Sequence, residues 1–94
     1  MASDPEGVTT RLTIVNPHGM HARPISEFVK VVQGHAVSVT VVGPGGEADG
    51  GSVLQLMGLA AGQGSELIVT AQGAQAAEVL AALTELVASG FGES

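Results

Sequence analysis

Apolar positions along the chain recur with two periods, and each change of period marks the start or end of an element. In "RLTIV" (11–15), Leu12 and Ile14 alternate with Thr13 and Val15, the spacing of a half-buried strand. From residue 25, "ISEFVKVVQG" sets Ile25, Phe28, Val29 and Val32 at i, i+3, i+4 and i+7, which predicts an amphipathic helix of about three turns stopped by Gly34. "AVSVTVV" (36–42) alternates again, with Val37, Val39 and Val41 inward, and "GPGG" (43–46) has turn composition. "EADGG" (47–51) is poor in strand formers, yet its place between a turn and the next helical run leaves room for a short third strand. "SVLQLMGLA" (52–60) predicts a short helix, "AGQG" (61–64) a turn, and "ELIVTA" (66–71) a strand with Leu67, Val69 and Ala71 on one side. A last helix from about residue 74 to 88 carries the stripe Val79, Leu80, Leu83, Leu86 and Val87, and "SGFGES" reads as a fraying tail.

The order strand, helix, strand, strand, helix, strand, helix predicts an α+β two-layer sandwich with the helices on one face of a small sheet and the other face partly open. At 94 residues the chain fits one compact domain, which can bury about two thirds of its unfolded surface without covalent staples. The absence of cysteine excludes disulfides, thiolate zinc sites and cysteine nucleophiles. The opening "MASDPEGVTT" has neither a basic segment nor an apolar run, and no stretch approaches the ~20 apolar residues that span a bilayer. The expectation is a soluble cytoplasmic protein with no membrane partner.

Charge narrows the chemistry. The formal net charge is −6, and Arg11, Arg23 and Lys30 are the only fixed cations, a balance that repels nucleic acid and anionic lipid. Phe28 and Phe91 are the only aromatics, so base-stacking platforms are missing too. Any anion must then be held by backbone N–H groups and one or two side chains. No P-loop pattern and no nucleophile elbow occurs.

Against this background "NPHGMHARP" (16–24) concentrates two histidines and an arginine just before a predicted helix. The first N–H groups of a helix lack internal partners and carry partial positive charge, so this end attracts anions. A cationic imidazole is disfavoured there, which keeps His21 neutral with a lone pair available for attack on phosphorus. Arg23 is placed to donate to phosphoryl oxygens, and such a charge-assisted bond is worth about 1.5–3 kcal/mol against roughly 0.3–1 for an exposed helix dipole. Pro24 suits a first turn but pushes its predecessor off helical angles, so a start at 22 and a start at 24 are both open. The residues alone also admit a surface or capping role for His21, and a metal site of His18 and His21 with Glu27 as a distant third ligand.

A second candidate site lies at Ser52. "SVLQ" (52–55) matches a capping box, with the Ser52 hydroxyl accepting from the N–H of residue 55 and Gln55 reaching back. With Leu56 and Leu59 turned inward, Val53, Leu54 and Met57 are left partly outside, a compact apolar patch suited to docking; a helix buried on both sides is the other reading. Phosphorylation of Ser52 would add about 1.5 to 2 negative charges beside that patch and harm docking more than folding.

"GMHARP" with its downstream "EFVK", the Ser52 helix with its apolar neighbours, the "GQG" turn and the final helix together resemble the HPr phosphocarriers of the bacterial phosphoenolpyruvate-dependent phosphotransferase system, over residues 8–89. The resemblance implies an open-faced sandwich with a four-stranded antiparallel sheet and three helices, in which "EADGG" does form a strand. It implies that His21 is phosphorylated on Nδ1 by enzyme I and passes the group to sugar-specific IIA proteins, with help from Arg23 and the backbone of Ala22 and Arg23. It further implies docking through Met20, Val53, Leu54 and Met57, and Ser52 as a regulatory target of HPr kinase/phosphorylase. His18 stands where the family has a small polar residue, and Met20 replaces a leucine.

The expected protein is therefore a monomeric phosphoryl carrier for sugar uptake, without cofactor, metal or turnover of its own, folded over residues 8–89 with tails at 1–7 and 90–94. Two alternatives remain beside it: a nitrogen-type or regulatory phosphorelay carrier, and a ferredoxin-like module that binds a small ligand and gives His21 no role.

Overall fold

Three helices cover one face of a four-stranded antiparallel sheet in the computed structural model, which describes residues 7–93. In chain order the elements are β1 (Val8–Thr13), α1 (Ala22–Gln33), β2 (Ser38–Gly43), β3 (Gly46–Asp49), α2 (Val53–Met57), β4 (Glu66–Gln72) and α3 (Ala76–Ala88), followed by a 3₁₀ turn at Gly90–Gly92. The sheet order is β1-β4-β2-β3. Register sorts the side chains by chemistry. Val69 pairs with Val41 and Val41 with Ala48, all turned into the core, while Thr9, Thr70, Thr40 and Asp49 form a polar row on the open face. Thr9 and Thr70 share a hydroxyl hydrogen bond of 2.9 Å across that face.

The helix predicted from residue 25 buries the expected stripe Ile25, Phe28, Val29 and Val32, and α3 buries Val79, Leu80, Leu83 and Val87. Boundaries differ where tertiary contacts decide them. β1 begins at Val8 and ends before Ile14 because its ladder with β4 runs from Val8 opposite Ala71 to Thr13 opposite Glu66. "EADGG" contributes β3 despite its composition, because the tight Pro44–Gly45 connection returns the chain along β2 with Gly43 opposite Gly46. α2 is shorter than predicted: after Met57 the N–H groups of Gly58, Leu59 and Ala60 bond three residues back, which tightens the last turn and ends the α-helix.

The C-terminal segment does not fray. Phe91 is 2% exposed and packs in the core, with Gly90, Phe91 and Gly92 all left-handed (φ +67°, +57° and +73°). A left-handed non-glycine residue costs about 1–3 kcal/mol, and burying a phenylalanine returns about 1.5–3, so the segment is held where a purely polar tail would not be. The expectation of a tail from residue 90 is corrected accordingly for residues 90–93, and Ser94 lies outside the described residues. Of the expected N-terminal tail, residues 1–6 lie outside the described residues. No helix among the described residues is long and apolar enough to cross a membrane.

Candidate functional site

The loop from Asn16 to His21 is set by its hydrogen bonds to the turn that precedes β4. Met20 N–H donates to the Ala61 carbonyl (2.8 Å), Gly64 N–H to the Ile14 carbonyl (2.7 Å), and Gln63 Nε2 to the Val15 carbonyl (3.0 Å). Gly19 has φ +66°, and a Cβ there would meet the Ala61 carbonyl oxygen at 2.5 Å, so only glycine fits this close approach. The buried Asn16 donates through Nδ2 to the Gly19 carbonyl (2.8 Å) and pins the turn from inside.

This loop delivers His21 as the N-cap of α1, so the helix starts at Ala22 and the alternative start at Pro24 is excluded. Pro24 occupies the third helical position, where its missing N–H is no loss. The His21 carbonyl accepts from Ile25 N–H (3.0 Å), but its side chain makes no capping bond. The N–H groups of Ala22 and Arg23, in the first turn, have no partner within the helix, and His21, Ala22 and Arg23 are all exposed. His21 Nε2 lies 2.9 Å from Glu93 Oε2. Among the described residues Nδ1 makes no hydrogen bond.

Arg23 is exposed and pairs through Nη1 with Glu27 Oε2 (3.2 Å), one helical turn on, and more loosely with Glu93 Oε2 (4.0 Å). An exposed i,i+4 pair is worth roughly 0.3–0.5 kcal/mol, less than a charge-assisted hydrogen bond in a sheltered site, so Arg23 is not locked to Glu27. Glu93 is held below its ordinary range chiefly by the hydrogen bond from Asn16, against some desolvation, and further by His21 and Arg23. Glu93 escaped the sequence reading. Its contacts are long-range and its neighbours have loop composition, and the single available signal was Phe91, one of two aromatics, placed between glycines.

His18 is exposed, and its ring stands edge-on to His21 with centroids 5.9 Å apart. Glu27 is engaged by Arg23, and no group of three metal-ligating side chains gathers among the described residues, so the His18, His21 and Glu27 site finds no support.

Around α2, the Ser52 hydroxyl accepts from Gln55 N–H (3.2 Å), as the capping pattern predicts. The reciprocal half does not form: Gln55 Oε1 accepts from Asp49 N–H (2.8 Å) and Ser52 N–H donates to the Asp49 carbonyl (3.0 Å). Leu56 and Leu59 are buried, whereas Val53, Leu54 and Met57 are exposed, Leu54 by 80%. A helix buried on both sides is thereby excluded. Met20 is corrected from a docking residue to a core residue, 7% exposed, because the Ala61 bond turns the loop inward at that position.

A family profile described as "PTS HPr component phosphorylation site" matches residues 8–89. The phosphocarrier protein HPr of Pseudomonas aeruginosa is 40% identical over 83 residues, which cover 87% of this chain and 92% of that protein. The phosphocarrier protein NPr of Escherichia coli K12 is 38% identical over 87 residues, covering 92% and 97%. The multiphosphoryl transfer protein of Escherichia coli O157:H7 is 34% identical over 89 residues, and the chain spans only 24% of that protein's length. The crystal structure of HPr-C-His from Thermoanaerobacter tengcongensis superposes with a TM-score of 0.88 at 29% identity, covering 93% of this chain and 98% of the other.

Proposed function

The chain belongs to the HPr family of phosphocarriers of the phosphotransferase system, and on that premise we propose that His21 is its phosphoryl acceptor. Members of the family carry a phosphoryl group between proteins and are not catalysts themselves. The observation that carries the reading is the placement of His21: an exposed N-cap whose ring makes no capping bond, with Nε2 engaged by Glu93 and no hydrogen bond at Nδ1 among the described residues.

In this mechanism the Nδ1 lone pair attacks the phosphorus of phosphorylated enzyme I, and the donor atom leaves with the electron pair of the broken bond. The N–H groups of Ala22 and Arg23 and the Arg23 guanidinium receive the phosphoryl oxygens. The group then passes to an acceptor by the reverse chemistry, with no cofactor. Val53, Leu54 and Met57 form the docking patch for enzyme I and IIA proteins, and phosphorylation of Ser52 by an HPr kinase/phosphorylase would set charge beside it. The carrier acts as a monomer in the cytoplasm.

Transfer to sugar-specific IIA proteins is the first reading. A nitrogen-type relay is a second, favoured by the near-equal identity to NPr (38%) and to HPr (40%). The ferredoxin-like ligand-binding alternative is set aside by family membership.

The test is incubation with phosphoenolpyruvate and enzyme I of the source organism, followed by mass spectrometry. One acid-labile phosphoryl group is expected on the wild type and none on His21→Ala. Labelling that persists in His21→Ala would overturn the assignment. Chasing the labelled protein with a sugar-specific or a nitrogen-type IIA protein separates the two readings.

A further inference from the structure

His18 has no part in the chemistry drawn above, yet the loop before α1 holds it beside the acceptor ring. Pro17, whose φ is fixed, and His18 form the middle of a turn that closes twice: Gly19 N–H donates to the Asn16 carbonyl (3.1 Å) and Asn16 Nδ2 to the Gly19 carbonyl (2.8 Å). The residues that follow are tied as well, Met20 N–H to the Ala61 carbonyl (2.8 Å) and His21 N–H to the Gly19 carbonyl (3.0 Å). The backbone from which both imidazoles project is therefore set by hydrogen bonds before either side chain is considered. On that backbone the rings meet edge to face, with centroids 5.9 Å apart and planes at 84°. Aromatic rings prefer this arrangement at separations of about 4.5–7 Å, because the positive edge of one ring lies against the negative face of the other.

The contact matters because the His21 side chain is 43% exposed. Exposed side chains change rotamer within nanoseconds, and an imidazole that wanders presents Nδ1 to phosphorus only part of the time. The hydrogen bond at Nε2 holds one point of the ring. A second contact is needed to fix its plane, and the His18 ring supplies one. We propose that His18 is a positioning residue for phosphoryl acceptance: the edge-to-face contact of its ring sets the plane of the His21 imidazole and keeps Nδ1 aimed for attack before a partner docks. The inference rests on His21 being the acceptor. It asks of His18 a flat aromatic ring and neither a ring nitrogen nor a charge, and it adds no bond-making step to the transfer.

The experiment compares the wild type, His18→Ala and His18→Phe. Three-bond couplings between the His21 Cβ hydrogens and its ring carbon, with the shifts of the ring hydrogens, report the orientation of the His21 ring in the unphosphorylated protein. Single-turnover acceptance from charged enzyme I, followed over a range of enzyme I concentrations, separates the rate at saturation from docking. His18 is exposed, so both variants keep the fold, which their amide spectra check. The wild type is expected to show one His21 rotamer, its ring hydrogens displaced by the neighbouring ring. In His18→Ala the couplings become rotamer-averaged and the saturated rate falls by about 3- to 10-fold, the worth of one aromatic pair. The concentration giving half the maximal rate stays the same, because the patch on α2 is untouched. His18→Phe restores both the couplings and the rate. Couplings and rate in His18→Ala that match the wild type overturn the proposal, and so does a His18→Phe that behaves like His18→Ala. A wild type that is never labelled at His21 overturns the carrier reading, and this one with it, whatever the couplings show.

Discussion

His21 Nε2 and Glu93 Oε2 are 2.9 Å apart although 72 positions separate the two residues in the chain. The loop before α1 and the turn after α3 thus meet at one pair of side chains, and what tethers either one governs the other. Stability, protonation and transfer should all register that link.

Acid should weaken the link first. Glu93 has a folded pKa below its ordinary value of 4.5, so it contributes stability that is fully present above that value and is lost as pH falls through the lower folded one. Urea unfolding at falling pH is expected to show the wild type exceeding Glu93→Gln near neutrality and the difference shrinking as the pH drops below the ordinary carboxylate range. A difference that grows with acid would contradict this sign.

Removing the anchor should free the end of the chain. Phe91→Ala deletes a fully buried ring and is expected to lower stability by about 3 kcal/mol, the lower end of the range for such truncations, since the segment can detach and spare the rest of the core a cavity. Hydrogen exchange should speed up selectively from Ser89 onward and at the Asn16 side chain.

Gly19→Ala tests the loop from the other side. Its Cβ would lie 2.5 Å from the Ala61 oxygen and 2.7 Å from the Gly62 Cα, both backbone atoms that cannot swing away. Together with the left-handed φ this should cost about 1–3 kcal/mol, visible as a Tm lower by about 5 °C or more.

Arg23 should matter for transfer and little for folding. Arg23→Ala breaks an exposed pair with Glu27, so Tm is expected to hold within about a degree, while the rate of acceptance from charged enzyme I falls by about 10- to 100-fold, the equivalent of one charge-assisted hydrogen bond. Equal rates would remove Arg23 from the phosphoryl site.

Ser52→Asp separates the cap from the patch. Aspartate caps helices as well as serine does, so α2 should persist and Tm should change little. Added charge next to Val53, Leu54 and Met57 should weaken binding of enzyme I as measured by calorimetry, and Leu54→Glu should do the same without touching the cap. Undiminished binding by both variants would place the docking surface elsewhere.

Local periodicity carried the sequence reading where burial is one-sided and continuous. Ile25, Phe28, Val29 and Val32 in α1, and Leu67, Val69 and Ala71 in β4, are buried as their spacing predicts. The position of His21 and Arg23 at the start of α1 was legible as well, because two scarce residue types met just before such a helix. What stayed hidden depended on partners distant in sequence. β1 starts at Val8 because β4 offers a ladder there, although "VTTR" has no apolar alternation of its own. Met20 sits beside His21 in sequence but points into the core because a backbone bond to Ala61 sets its direction. Glu93 has loop-like neighbours, and only a left-handed turn around a buried phenylalanine brings it to the imidazole.

The same turn fixes where anything attached to the molecule must hang. The chain passes Glu93 beside the His21 ring, whereas β1 enters at Val8, at the end of the strand remote from the loop it feeds. A dye, bead or affinity handle joined close behind Glu93 would be leashed to the face that carries His21 and compete with any protein visiting it. Joined directly to Gly7, it would start from the end of β1 remote from that face.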